Sequence, residues 1–223
     1  MKRVLVLRPE PGASTTVKHA RERGLDAIAI PLFEIEPVAW DVPEAGGYDG
    51  LLLTSANAIR HGGKGLNELR GLPIHAVGTA TAKAAREAGF DIASVGEAGV
   101  DRLLGSIEPG LRLLHVVGED RKEPDDARQE IQAVVVYRSR ARNDVALNDV
   151  GGSVALIHSP RAAKRFAELA AKIDKSAVAI AAISPEAQAA AGEGWAAAEA
   201  AASPDDEALL ALAERLCNNI AVK

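Results

Sequence analysis

Leu51-Leu52-Leu53-Thr54-Ser55-Ala56-Asn57-Ala58 and, about 105 residues later, Ala155-Leu156-Ile157-His158-Ser159-Pro160-Arg161-Ala162 share one pattern. A short aliphatic run reads as a buried strand, a hydroxyl follows, and alanine-containing sequence opens a helix. Two further segments superpose in order at nearly the same shift. Leu25 through Pro31 falls on Ile131 through Tyr137, and Val77-Gly78-Thr79-Ala80-Thr81 falls on Ile183-Ser184-Pro185-Glu186-Ala187. Identities are few, yet three ordered matches predict two similar α/β units of about five strands each.

Working outward, the same alternation runs along the chain. Strands are expected at Val4–Leu7, Ala27–Ile30, Gly50–Thr54, Ile74–Val77, Ile92–Val95, Leu113–Val117, Ala133–Tyr137, Val154–His158, Ala177–Ala182 and Ala196–Glu199. Helical stretches include Ser14–Arg23, Ala80–Ala88, Ala162–Lys172 and Glu186–Ala191, and Ser203-Pro204-Asp205-Asp206-Glu207 opens a last one at Asp205–Asn218. Strands separated by amphipathic helices specify parallel sheets. No proline- or serine-rich linker divides the chain. The extended stretches Phe33–Val38 and Val134–Arg140 are the candidate crossings between units.

The 223 residues, 48% of them apolar, suffice for two small cored domains. A net charge of −5 argues against a dedicated nucleic-acid binder, though local amides and arginines can still attract an anionic small molecule. The single cysteine, Cys217, excludes an internal disulfide and suggests a reducing compartment. The apolar run after Met1-Lys2-Arg3 is too short for a signal peptide, and no stretch approaches the ~20 apolar residues of a membrane span. A cytoplasmic protein without membrane contact is expected. Arg8-Pro9-Glu10-Pro11-Gly12 lacks dinucleotide-fingerprint spacing, and no phosphate loop is present. His19, His61, His75, His115 and His158 are scattered, so no metal site is expected. No serine sits in a nucleophile elbow, which argues against covalent catalysis.

Hydroxyls recur at strand carboxyl ends: Thr54-Ser55, Thr79 with Thr81, Ser159 and Ser184. Ligands of open parallel sheets bind at this edge, where helix amino termini present free amides to carboxylates. Each hydroxyl can equally be an ordinary helix cap, and the two roles coexist. Arg8 and Arg161, at or just past strand ends, are better candidates for anion contacts than Arg60, Arg138 or Lys164. Tyr137, one of two tyrosines, ends an apolar strand; it reads as a half-buried strand aromatic or as a hydroxyl donor.

Taken in order, these pieces resemble the uroporphyrinogen-III synthase family. The matching segments are Val4–Pro9, Gly24-Leu25-Asp26 leading to Pro31–Ile35, Tyr48–Ala58, Val77–Ala82, Val134–Tyr137 and Ile157–Ala162, nearly the whole chain. The resemblance implies an α/β fold of two flavodoxin-like parallel-sheet domains joined by a two-stranded linker: residues 1–36 plus 139–223, residues 39–134, and linker strands 33–38 and 134–140. It implies a cofactor-free, metal-free lyase of haem, sirohaem, cobalamin or chlorophyll biosynthesis. The substrate, hydroxymethylbilane, would bind in the cleft between domains and close with loss of water and inversion of its last ring. Tyr137 matches the family tyrosine proposed as general acid. Ser55, Thr81 and Ser159 match hydroxyl positions, and Arg8, Ala56, Asn57, Gly78, Thr79, Arg161 and Ser184 complete the expected binding set. A monomer is expected, with possible transient contact with the preceding pathway enzyme.

Two departures stand out. Ser184-Pro185-Glu186-Ala187 replaces a threonine-bearing turn, and Glu186 would repel a carboxylate unless it faces solvent. Gly118–Glu130, with Lys122, Glu123, Asp125 and Asp126, is short where relatives carry a longer helix. The alternative reading is a non-catalytic two-domain binder or sensor of a polycarboxylate; a nucleotide-using transferase is the weaker rival.

Overall fold

The computed structural model describes residues 2–219 apart from Ala98 and Lys122. In chain order the elements are β1 (Arg3–Val6), α1 (Gly12–Glu22), β2 (Asp26–Ala29), β3 (Phe33–Pro37), β4 (Gly50–Leu53), α2 (Ala56–His61), β5 (Ile74–Val77), α3 (Thr79–Glu87) and β6 (Ile92–Gly96). They continue with α4 (Val100–Ser106), β7 (Arg112–Gly118), β8 (Glu130–Ala141), β9 (Val154–Ile157), α5 (Pro160–Leu169), β10 (Ala179–Ala182), α6 (Pro185–Ala190), β11 (Ala197–Ala200) and α7 (Asp206–Asn219). Two compact units result, Met1–Glu34 with Ala141–Lys223, and Ile35–Arg140. Both chain crossings fall inside strands, β3 and β8.

The first unit is a five-stranded parallel sheet in the order β2-β1-β9-β10-β11. Its central strands are aliphatic throughout because helices cover both faces. Val4, Val6, Val154 and Leu156 face Val17 and Ala20 of α1 and Leu209, Leu212 and Leu216 of α7. Leu5, Leu7, Ala155 and Ile157 point the other way, against Phe166 of α5. The period of two in the strands thus sorts their side chains into two cores.

The second unit's sheet runs β3-β8-β7-β4-β5-β6. Its strands are parallel except β3, whose bonds Val38 N–H to Val136 O and Arg142 N–H to Leu32 O, both 2.9 Å, pair rising with falling numbers. The expected extended stretches therefore form an antiparallel ladder. Between β7 and β8 no helix forms among the described residues of 119–129; Lys122 lies outside them. Gln129 anchors that loop, its Nε2 donating to Leu104 O, Ile107 O and Glu108 O at 3.0–3.2 Å, in and just past the last turn of α4.

The internal repeat has a structural meaning. Matched segments place β4 on β9, β5 on β10 and β2 on β8. Sheet positions β2-β1-β9-β10-β11 then correspond to β8-β7-β4-β5-β6 in the same spatial order. Each sheet combines a two-strand block with a three-strand block, and the chain supplies these alternately. The first unit takes the first and last blocks; the second takes the two between.

Phe166 is fully buried and stacks on Trp195, with ring centroids 5.4 Å apart and 12° between planes. Phe166→Ala should lower unfolding free energy by about 3–5 kcal/mol, read from denaturant midpoints with an unchanged slope.

Candidate active site

In each sheet the connections reverse direction at one point: between β1 and β9 in the first unit, and between β4 and β7 in the second. A crevice opens outside the carboxyl ends there. In the first unit this point carries Arg8 and His158-Ser159; in the second it carries Thr54-Ser55 and Gly118-Glu119.

The expected hydroxyls divide into two kinds. Three are caps: Ser55 Oγ accepts the Asn57 N–H at 3.2 Å, Ser159 Oγ the Ala162 N–H at 3.1 Å, and Ser184 Oγ the Ala187 N–H at 3.3 Å. Pro160 and Pro185 follow as first-turn prolines with no N–H to satisfy. At α3 the N-cap is Gly78, with φ of 84°, and no side chain caps the helix. Thr79 is exposed and Thr81 buried. Among the described residues no acceptor meets the backbone N–H of Thr79, Ala80 or Thr81. This nine-residue helix therefore directs unused amides and its positive dipole end past Gly78, a suitable dock for a carboxylate.

Tyr137 lies level with this edge, since β8 pairs Tyr137 with Gly118 at the carboxyl end of β7. It is half-buried, and no partner meets its hydroxyl among the described residues. A Cβ on Gly118 would lie 2.5 Å from Tyr137 Cε2 and 2.6 Å from Cζ, so glycine is required for the ring to lie where it does. On another side the His61 ring is 6.1 Å away, tilted by 41°. Burial, and secondarily the Arg60 charge, lowers the His61 pKa.

The other expected residues are placed as follows. Ala56 is buried in the first turn of α2, and Asn57 Oδ1 accepts from Arg60 Nη1 at 3.2 Å. Arg161 sets its guanidinium 4.5 Å over the Phe33 ring. Arg138 pairs with Glu36 across the β3–β8 ladder at 3.1 Å. Glu186 is exposed, and the Ser184 hydroxyl, with Glu186's own N–H, holds its carboxyl below the usual range. The α6 terminus thus carries its own carboxylate. Arg8 bonds weakly to Thr16 Oγ1, at 3.5 Å, and pairs with Asp206 at 3.6 Å.

Sequence reasoning missed Gly118, His115, Thr16 and Asp206. His115 on β7 is 2% exposed, and its Nε2 lies 3.3 Å from Thr54 Oγ1 at the switch point. With Arg121, Ala127 and Ala133 it lines a pocket of about 190 Å³ under the 119–129 loop. The place of His115 inside the aliphatic run Leu113–Val117 marks it as buried, a signal that was available; Asp206 left none, because its contacts lie far off in sequence.

A family model described as uroporphyrinogen-III synthase HemD matches residues 14–211. A curated uroporphyrinogen-III synthase of Chlorobaculum parvum is 39% identical over 61 residues, which span 27% of this chain and 25% of that protein. Among solved structures, the uroporphyrinogen-III synthetase of Helicobacter pylori 26695 superposes with a TM-score of 0.66 at 17% identity, covering 97% of this chain and 100% of its own. A mutant uroporphyrinogen III synthase of Thermus thermophilus gives 0.54 at 18% identity, covering 98% and 100%. The two structures share the fold.

Burial, and then the Arg121 charge, lowers the His115 pKa from 6.5 to about 4. The unfolded chain binds this proton first, so its contribution is complete above pH 6.5 and is lost as pH falls toward 4. Stability should drop by about 2–3 kcal/mol over that window, and His115→Gln should flatten the dependence, as measured by denaturation at stepped pH.

Proposed function

The chain belongs to the uroporphyrinogen-III synthase family, and on that premise we propose that it converts hydroxymethylbilane to uroporphyrinogen III. The match over residues 14–211 carries the reading, since it takes in α3 and Tyr137 together. The two compact units are read as its two domains. The enzyme is a lyase acting as a cytoplasmic monomer in tetrapyrrole synthesis, taking its substrate from the enzyme that makes the bilane.

The substrate carries acetate and propionate groups on every pyrrole, so recognition is chiefly carboxylate recognition. The unused amides of Thr79, Ala80 and Thr81 suit one such group, and Arg8 suits another. Ser55, Ser159 and Ser184 act mainly by shaping their helix starts, leaving neighbouring amides to the ligand. Tyr137, with an unpartnered hydroxyl, gives its proton to the departing hydroxyl group, and water leaves as the azafulvene forms. The last pyrrole attacks that carbon through its already substituted position. The spirocyclic intermediate then fragments and recloses with the ring inverted, and the proton lost at closure returns to the phenolate. The same substrate closes unaided to the uninverted isomer, so the protein's principal task is to favour one attack geometry over another. A general acid adds ~10²–10⁴-fold.

Product analysis tests this directly. Hydroxymethylbilane generated in place with the purified chain, without added metal or cofactor, should give predominantly the inverted isomer after oxidation and separation. Only the uninverted isomer, at the spontaneous rate, contradicts the proposal and leaves a polycarboxylate binder. Tyr137→Phe should lower kcat by about 10²-fold or more with little change in melting temperature; unchanged kinetics would remove the tyrosine from the mechanism.

A further inference from the structure

One carboxylate in the first unit collects more partners than a helix cap requires. Asp206, the first residue of α7, accepts the hydroxyl of fully buried Thr16 on both oxygens, at 3.0 and 3.1 Å. His158 Nε2 lies 3.1 Å from Oδ1, Arg8 Nη1 3.6 Å from the same oxygen, and His19 Nδ1 3.6 Å from Oδ2. The helix itself is capped by the neighbouring Asp205, whose Oδ1 accepts the Ala208 N–H at 2.8 Å. Asp206 is therefore free to turn toward the β1–β9 switch point. There it ties together the loop after β1, the residue after β9 and the buried side of α1.

The charge state follows from these contacts. Burial opposes ionisation of Asp206, but hydrogen bonds from His158 and Thr16, with the charges of His158 and Arg8, outweigh it and hold the carboxyl below its usual range. An ionised Asp206 accepts a hydrogen bond from a proton-bearing His158 Nε2, while the buried Nδ1 has no partner among the described residues.

The consequence falls on Arg8. Its guanidinium lies across Gly12 at the start of α1, where a Cβ would come within 2.6 Å of Nε and 2.9 Å of Cζ. With Nη1 drawn toward Asp206 and Thr16, the side chain remains 37% exposed. An arginine held in this way has surrendered rotamer freedom before a ligand arrives; an unheld one loses it on binding, at a cost of about 2- to 10-fold in affinity.

We infer that Asp206 is a positioning residue which, oriented by Thr16, presets Arg8 to receive a substrate carboxylate. The inference rests on the function proposed above, because the carboxylate is the bilane's. The test is a kinetic cycle on hydroxymethylbilane using the wild-type chain, Asp206→Asn, Arg8→Ala and the double variant, each with a thermal melt. Asp206→Asn should raise KM by about 2- to 10-fold with kcat nearly unchanged. Arg8→Ala should raise KM at least as much, and the double variant should match Arg8→Ala alone, since nothing is left to position. Thr16→Val, in the same cycle, replaces Asp206→Asn if that variant does not fold. Multiplicative KM effects, or a loss of kcat and melting temperature at constant KM, in an active enzyme overturn the inference alone. A wild-type chain that makes no inverted product overturns the function, and the inference with it.

Discussion

Every helix that follows a parallel strand begins with amides that have no partner within the helix, and each must find one outside it. This constraint organises the edge at the strands' carboxyl ends in both units. Ser55, Ser159 and Ser184 meet it with their own oxygens, and Glu186 brings a carboxylate to its helix as well. The starts of α3 and α4 have no side-chain cap, because Gly78 and Gly99 precede them; α4 brings Asp101 in its first turn, whereas α3 carries no acidic residue there. A helix start with neither a side-chain cap nor a carboxylate of its own is a stronger pointer to anion binding than a row of hydroxyls.

The alternating supply of strand blocks explains how two like sheets arise from one chain. Because β1–β2 must pair with β9–β11, the first unit closes only when the last third of the chain is present. The middle of the chain forms its own sheet, with β3 added antiparallel at the edge beside β8. Asp206 extends the same logic to side chains, since the carboxylate that organises Arg8, Thr16 and His158 comes from the last helix.

Much of this was legible in the residues. Aliphatic runs such as Leu51–Leu53 and Val154–Ile157 are buried on both faces, so their strands can be placed to within a residue or so. Serine before proline marks two helix starts, at α5 and α6, for a stated chemical reason. The short helices α2 and α4 carry little periodic signal, and neither stands out in the sequence. Whether a hydroxyl caps or is spare was not legible, because that depends on which oxygen reaches which amide. Gly118 likewise reads as an ordinary strand-end glycine until the Tyr137 ring is seen lying against it.

The most direct test of carboxylate recognition at α3 is an amide-resolved NMR titration of the chain with uroporphyrin, a stable octacarboxylic analogue of the product, and with its methyl ester. The acid should shift the amides of Thr79, Ala80 and Thr81 while leaving the serine-capped Ala162 and Ala187 amides nearly still, and the ester should move none of them. Unmoved resonances at 79–81, with shifts at the capped amides instead, would contradict the account.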